Sequence, residues 1–179
     1  MSNLNGTYVL DQSHTNINWV ARHAMVTKVR GTFKDFEGSF TIDSENPENS
    51  SASVVIKAAS TDSGNADRDA HTLGEDFFDV EKFPEITFQA TSFTIANDHE
   101  GTVTGDLTIK GITKSVTLDV EVDGVEEDPF GNTRIGFEAK TKINRKDFGV
   151  DFQAPLKSGG MLVSEDVRIE VEASAIKQA

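Results

Sequence analysis

Histidine is the side chain whose charge changes nearest neutral pH, and this chain carries four: His14, His23, His71 and His99. None falls into a His-x-x-x-His spacing that would set two imidazoles on one helix face. With no cysteine in the chain, no thiolate can complete a metal set. His14, His23 and His71 could still meet inside a fold, so a histidine-based metal-dependent enzyme is kept as an alternative. Asp11, Ser13 and His14 supply the residue types of a nucleophilic triad. Adjacency in sequence is not triad geometry, however, and neither a nucleophile elbow nor a glycine-rich phosphate loop is present. The chemistry-bearing residues therefore assign no catalytic side chain, no metal and no cofactor.

Arg68 and His71 stand on one face if their segment is helical. Two roles fit them. They could form an ion pair and cap that hold the segment, or a cationic mouth that receives a polar or phosphorylated head group. His23 is in phase with Ile17 and Trp19, which leaves it either a satisfied core histidine or a ligand contact.

The elements that must position these residues are strands. Ile17, Trp19, Ala21 and His23 share a face, with Asn18 and Arg22 opposite and Val20 as an exception. Phe40 with Ile42, and Val54 with Ile56, continue the period of two. Ile86, Phe88 and Ala90 alternate with polar residues, and then Phe93 and Ile95 resume on the other parity, the mark of a bulge. Val116 to Val122, Ile135 to Ile143 and Val167 to Ala175 alternate in the same way. Half-buried antiparallel strands give this pattern, because successive side chains point to opposite faces. Lys110–Gly111–Ile112–Thr113 and Asp128–Pro129–Phe130–Gly131–Asn132 read as turns, and residues 43–49 as a polar loop.

One stretch breaks the alternation. Residues 63–73 predict a short helix with Ser63 or Asn65 as cap, acidic residues in its first turn and Gly74 as its stop. Glu75–Val80 predicts a second helical turn that seats Phe77 and Phe78 against the sheet. With no linker and no internal repeat, residues 1–179 form one domain: an all-β, antiparallel up-and-down barrel of about eight strands with a helical insert near residues 63–80.

Charge narrows the partners. Thirty acidic residues against 17 basic ones give a net charge of −13, a field that repels nucleic acid and an anionic membrane alike and favours solubility. No apolar run reaches the roughly 18–20 residues that cross a bilayer as a helix. The N-terminal residues show neither the basic nor the apolar region of a secretory signal. That predicts a cytoplasmic protein, or a periplasmic or secreted one if the native N terminus was trimmed. A monomer or homodimer is expected.

Four blocks then stand out in order: residues 11–23 (DQSHTNINWVARH), 65–84 (NADRDAHTLGEDFFDVEKFP), 105–120 (GDLTIKGITKSVTLDV) and 143–152 (INRKDFGVDF). Together they resemble the YceI-like family. Asp11, Ser13, His14, Ile17, Trp19 and His23 fit its first pattern, in which Phe is commoner at the position of Trp19. Gly31, Phe33, Phe36 and Gly38 fit the next. Arg68, Asp69, His71, Leu73, Phe77, Phe78, Asp79 and Pro84 fit its most recognisable segment, and Arg145, Asp147, Phe148 and Gly149 fit its late element. The resemblance implies a lipocalin-like barrel that holds a long isoprenoid or fatty-acyl chain, with the helical insert between the fourth and fifth strands.

Physical reasoning leads to the same kind of ligand. A strand over residues 84–97, tilted by about 40°, gives a wall on the order of 35 Å high, enough for a long tail. Twelve Phe against one Trp and one Tyr supply an apolar lining with few polar handles. The predicted tail cavity comprises Trp19, His23, Phe33, Phe40, Phe88 and Phe137, and the predicted head-group mouth Arg68, His71 and Phe78. The expected function is binding, sequestration or transport of such a lipid without catalysis. A filled barrel serving as a scaffold or stress-response interaction module is the alternative.

Overall fold

The computed structural model describes residues 4–179. Eleven strands form one antiparallel sheet that closes on itself. Three pairs of them are short segments of longer, bent strands. The first long strand runs through β1 (Gly6–Leu10), a 3-10 turn at Gln12–His14 and β2 (Asn16–His23). The second joins β3 (Thr27–Phe33) to β4 (Phe36–Ile42), and the third joins β5 (Ser51–Lys57) to the short β6 (Thr61–Asp62). Then follow β7 (Glu85–Ile95), β8 (Glu100–Ile109), β9 (Ile112–Glu127), β10 (Thr133–Asn144) and β11 (Asp166–Lys177). Each long strand pairs with the next in sequence, and β11 closes on β1 and β2, so the molecule is an eight-stranded up-and-down barrel.

Closure shows how the sequence copes with a bend. β1 covers the end of β11 from Tyr8 opposite Lys177 to Leu10 opposite Ala175, and β2 covers it from Asn16 opposite Glu172 to Val20 opposite Arg168. Between them the 3-10 turn would leave Ser174 of β11 without a ladder partner on this side. Asp11 N–H donates to the Ser174 carbonyl at 2.8 Å. The Thr15 hydroxyl donates to that carbonyl at 3.1 Å and accepts from Ser174 N–H at 3.2 Å. Buried backbone groups stay paired, and the seam stays shut. On the outside, Arg134 of β10 donates to Asp11 and to Asp128, each at 2.7 Å, and binds the seam to the β9–β10 turn.

The bulge expected in β7 is present as a register shift between Ala90 and Ser92. It keeps both Phe88 and Ile95 facing inward. Lys110 and Gly111, both at positive φ, make the two-residue β8–β9 hairpin. The insert carries one helix, α1 (Ala66–Leu73), capped by Asn65, whose side chain accepts from Arg68 N–H at 3.0 Å. The structure corrects the expected insert in two ways. The insert follows the third long strand, not the fourth. Glu75–Val80 forms hydrogen-bonded turns, not a second helical turn, because Phe78 N–H and Val80 N–H reach back to the Thr72 and Leu73 carbonyls.

Two apolar clusters fill the barrel wall. One gathers Leu4, Tyr8, Ile135 and Ala175 with Phe40 and Phe137 at the end where β1 begins. There Tyr8 stacks on Phe40 with ring centroids 5.1 Å apart, and its hydroxyl donates to the Leu4 carbonyl. The other extends from Ile17 and Phe33 to Phe148 and Val150 at the end that carries α1.

Candidate functional site

Period-two alternation on eight tilted strands sends every second side chain inward, and those side chains are nearly all apolar. They do not fill the space. A cavity of about 670 Å³ remains along the barrel, within the usual small-molecule range of about 300–1,000 Å³. Trp19, His23, Phe33, Phe40, Phe88 and Phe137 all border it, with Val54, Val116, Leu118, Ala139 and Ile169 among the residues between them.

Two glycines set the positions of the large rings. The Trp19 indole lies across Gly31 on the neighbouring strand, where an added Cβ would come within 2.1 Å of the ring. The indole N–H donates to the Thr61 hydroxyl at 2.9 Å, so its one polar atom is satisfied at the wall. Phe88 lies across Gly105 in the same way, with 2.5 Å to a hypothetical Cβ. Rings laid flat against the wall leave the axis open.

Exposed residues border the cavity at both ends. At the β7–β8 end these are Thr94, Asn97 and Glu100. At the α1 end they are Arg22, His23, Asp67, Arg68 and His71, so the two rims differ in charge. His71 is held on three sides. Its Nε2 lies 2.9 Å from Asp76, and the rings of Phe77 and Phe152 meet it edge-on, each with centroids 4.9 Å away. Arg68 donates to the Ser63 hydroxyl at 3.3 Å and makes no ion pair among the described residues. Phe78 sits deeper, edge-on to Phe33 at 5.7 Å.

The charged group that sequence reasoning left out of the site is Arg145. It is 5% exposed, it borders the cavity, and its guanidinium donates to the carbonyls of Val150, Val163 and Ser164. Burial pushes its pKa down, while the fields of Glu165 and Asp151 push it up. The three carbonyls belong to the segment after β10, so Arg145 ties residues 150–164 over the α1 end. Phe152 of that segment was also passed over. Both residues lie in the fourth sequence block, which was the available signal.

The remaining chemistry-bearing residues are arranged for structure. Ser13 Oγ donates to Asp11 Oδ1 at 2.7 Å, and His14 Nδ1 lies 2.8 Å from Asp11 Oδ2 and 3.1 Å from Ser13 Oγ. A proton relay needs serine and carboxylate on opposite imidazole nitrogens, whereas here both approach the same one. Arg134, then Ser13 and His14, hold the Asp11 carboxyl far below the usual carboxylate range. The His14 side chain is 66% exposed, so it does not converge with His23 and His71 as an inward trio would. Among the described residues no three His, Asp or Glu side chains are grouped to hold a metal ion.

Comparison with known proteins adds kinship. Residues 8–175 match the family model of the YceI-like domain. The chain is 38% identical over 173 residues to a UPF0312 protein of Pseudomonas putida (strain W619), covering 96% of this chain and 86% of that one. It superposes on the crystal structure of Burkholderia cenocepacia BcnA with a TM-score of 0.80 at 26% identity, covering 92% of this chain and 98% of the other. A polyisoprenoid binding domain from Saccharophagus degradans, implicated in plant cell wall breakdown, shares the fold with a TM-score of 0.72 at 14% identity, over 96% and 98% of the two chains.

Proposed function

The chain belongs to the YceI-like family, and on that premise we propose that its barrel binds one long, slender apolar chain of the isoprenoid or fatty-acyl class, without chemistry of its own. The observation that carries this reading is the open, apolar cavity of about 670 Å³ running between two exposed rims. A self-filled scaffold barrel would spend the same aromatic residues on closing that space. Each inward ring in contact with a tail removes apolar surface from water at about 25 cal/mol per Å², so affinity rises with chain length. The polyisoprenoid-binding neighbour from Saccharophagus degradans supports an isoprenoid as the first class to try.

Orientation follows from the rims. The α1 end carries Arg22, Arg68, His23 and His71 against one acid, Asp67, and the other end carries Glu100. An anionic or polar head group is therefore held at the α1 end, with its tail directed toward Phe40 and Phe137. Native mass spectrometry of protein purified from its host, followed by solvent extraction, tests the function. A defined lipid at one per barrel is the expected result. Empty protein that also fails to take up added polyprenol or fatty acid would refute it.

A further inference from the structure

We propose that the β2–β3 hairpin and the segment 152–164 form a docking surface for an anionic phospholipid bilayer, beside the α1-end rim of the cavity. The proposal rests on the lipid-binding reading above and adds where the protein meets the lipid's source.

The charge distribution points there. In a chain with 30 acidic residues, residues 12–34 contain no Asp or Glu, and neither do residues 152–164. The two acid-free stretches are adjacent in space: His23 bridges Val163, and Ala24 N–H donates to the Leu162 carbonyl at 2.7 Å. Arg22 and Lys28 face each other directly across the hairpin, and neither makes an ion pair among the described residues. Like charges in that position repel. Lys157 adds a third cation. Three acids on and just before β11 are already paired, Glu170 with Arg30 at 2.9 Å, Glu165 with Lys146 at 2.8 Å and Asp166 with Lys142 at 3.7 Å. That leaves Asp67 on the rim and Asp151 at the edge of the segment as the acids set against these cations.

The tip itself is apolar and strained. His23 O accepts from Val26 N–H, and Ala24 and Met25 both adopt positive φ, at 52° and 67°. That turn ordinarily takes Asn-Gly, because residues with a Cβ resist the left-handed region. Here it presents Met25 at 54% exposure and Val26 at 76%, with Met161 at 42% beside Gly160, against which Met25 rests. An apolar tip flanked by cations suits the headgroup layer of an anionic membrane. The rest of the molecule is repelled from such a surface, which leaves this sector to face it. Arg22, His23, Leu162 and Val163 line the cavity directly behind the tip, so a lipid leaving the bilayer has a short path inward.

The test is flotation with phosphatidylcholine vesicles prepared with and without phosphatidylglycerol, at low and high salt. Wild-type protein is expected to float with the phosphatidylglycerol vesicles only, and to be released by salt. The double variants M25S/V26S and K28E/K157E, with their fold checked by circular dichroism, should each lose roughly tenfold or more in vesicle affinity. Both should still take up a doxyl-labelled fatty acid from dilute solution without vesicles. No flotation of the wild type, flotation unaffected by both double variants, or a concentration-dependent dimer that disappears in M25S/V26S would each overturn the proposal. Failure of the wild type to take up the fatty acid would count against the lipid-binding reading instead.

Discussion

The indole of Trp19 occupies the space that a side chain at position 31 would take: a Cβ on Gly31 would lie 2.1 Å from the Trp19 ring. Backbone permissiveness is not what glycine provides here. It provides room for a ring to lie flat against β3, anchored to Thr61, so that the cavity axis beyond it stays open. Gly31→Ala should therefore destabilise the barrel by about 1–3 kcal/mol, as overpacked cores do. Adding Trp19→Leu should recover most of that loss. A double-mutant cycle by urea denaturation measures the coupling, and additive losses would show that the two residues act independently.

At the α1 rim, replacing Arg68 and His71 together by Ala removes the guanidinium and the imidazole that border the cavity from the insert. Binding of a fatty acid with an ionised carboxylate should weaken by about tenfold, as loss of charge-assisted contacts implies, while binding of a neutral polyprenol changes little. Isothermal titration with both ligands decides between the two roles. Equal losses would mean that the pair only holds the insert through Asp76 and Ser63.

The seam predicts an acid limb of stability. Arg134, the largest cause in each case, lowers the pKa of Asp11 far below its ordinary value and that of Asp128 to about 2. Groups with a depressed folded-state pKa add stability above their unfolded pKa near 3.8, and that stability is lost as pH falls through the folded value. Thermal midpoints should therefore drop between about pH 4 and pH 2. Arg134→Met should lower the midpoint at pH 7 and flatten the drop. An unchanged acid limb in the variant would assign the loss to other carboxylates.

On the outer face, Glu100, Glu121, Glu138 and Glu172 stand directly opposite one another across β8, β9, β10 and β11. Directly opposed like charges cost roughly 0.2–1 kcal/mol per pair. Glu138→Lys converts two repulsive pairs into attractive ones and should raise the thermal midpoint by several degrees at low salt, because about 1 kcal/mol moves a domain of this size by about 2–4 °C. The gain should shrink at high salt, where screening weakens exposed charges. A salt-independent gain would point to strand propensity instead.

Much of the architecture was legible in the sequence because a half-buried strand writes its orientation into every second residue. The parity change between Ala90 and Phe93 located the β7 bulge, and of the two caps the sequence offered, Ser63 and Asn65, the fold uses Asn65, with Gly74 as the stop. What could not be read there depended on contacts between distant segments. Glu75–Val80 has the composition of a helical turn, but its amides are claimed by the carbonyls of α1. Arg145 stood out in the sequence only as part of the fourth block, and only the fold brings the carbonyls of Val150, Val163 and Ser164 around it. The exposed Met25 and Val26 interrupt no period and carried no local signal.

The central claim, one apolar chain inside the barrel, is tested most directly through Trp19, the chain's single tryptophan and part of the cavity wall. Titration with a fatty acid carrying a doxyl group on its tail should quench Trp19 fluorescence saturably at one ligand per protein. Ala139→Phe, which fills the cavity from the inward face of β10, should abolish the quenching while leaving the protein folded. Quenching that does not saturate, or that survives unchanged in Ala139→Phe, would contradict a ligand inside the barrel.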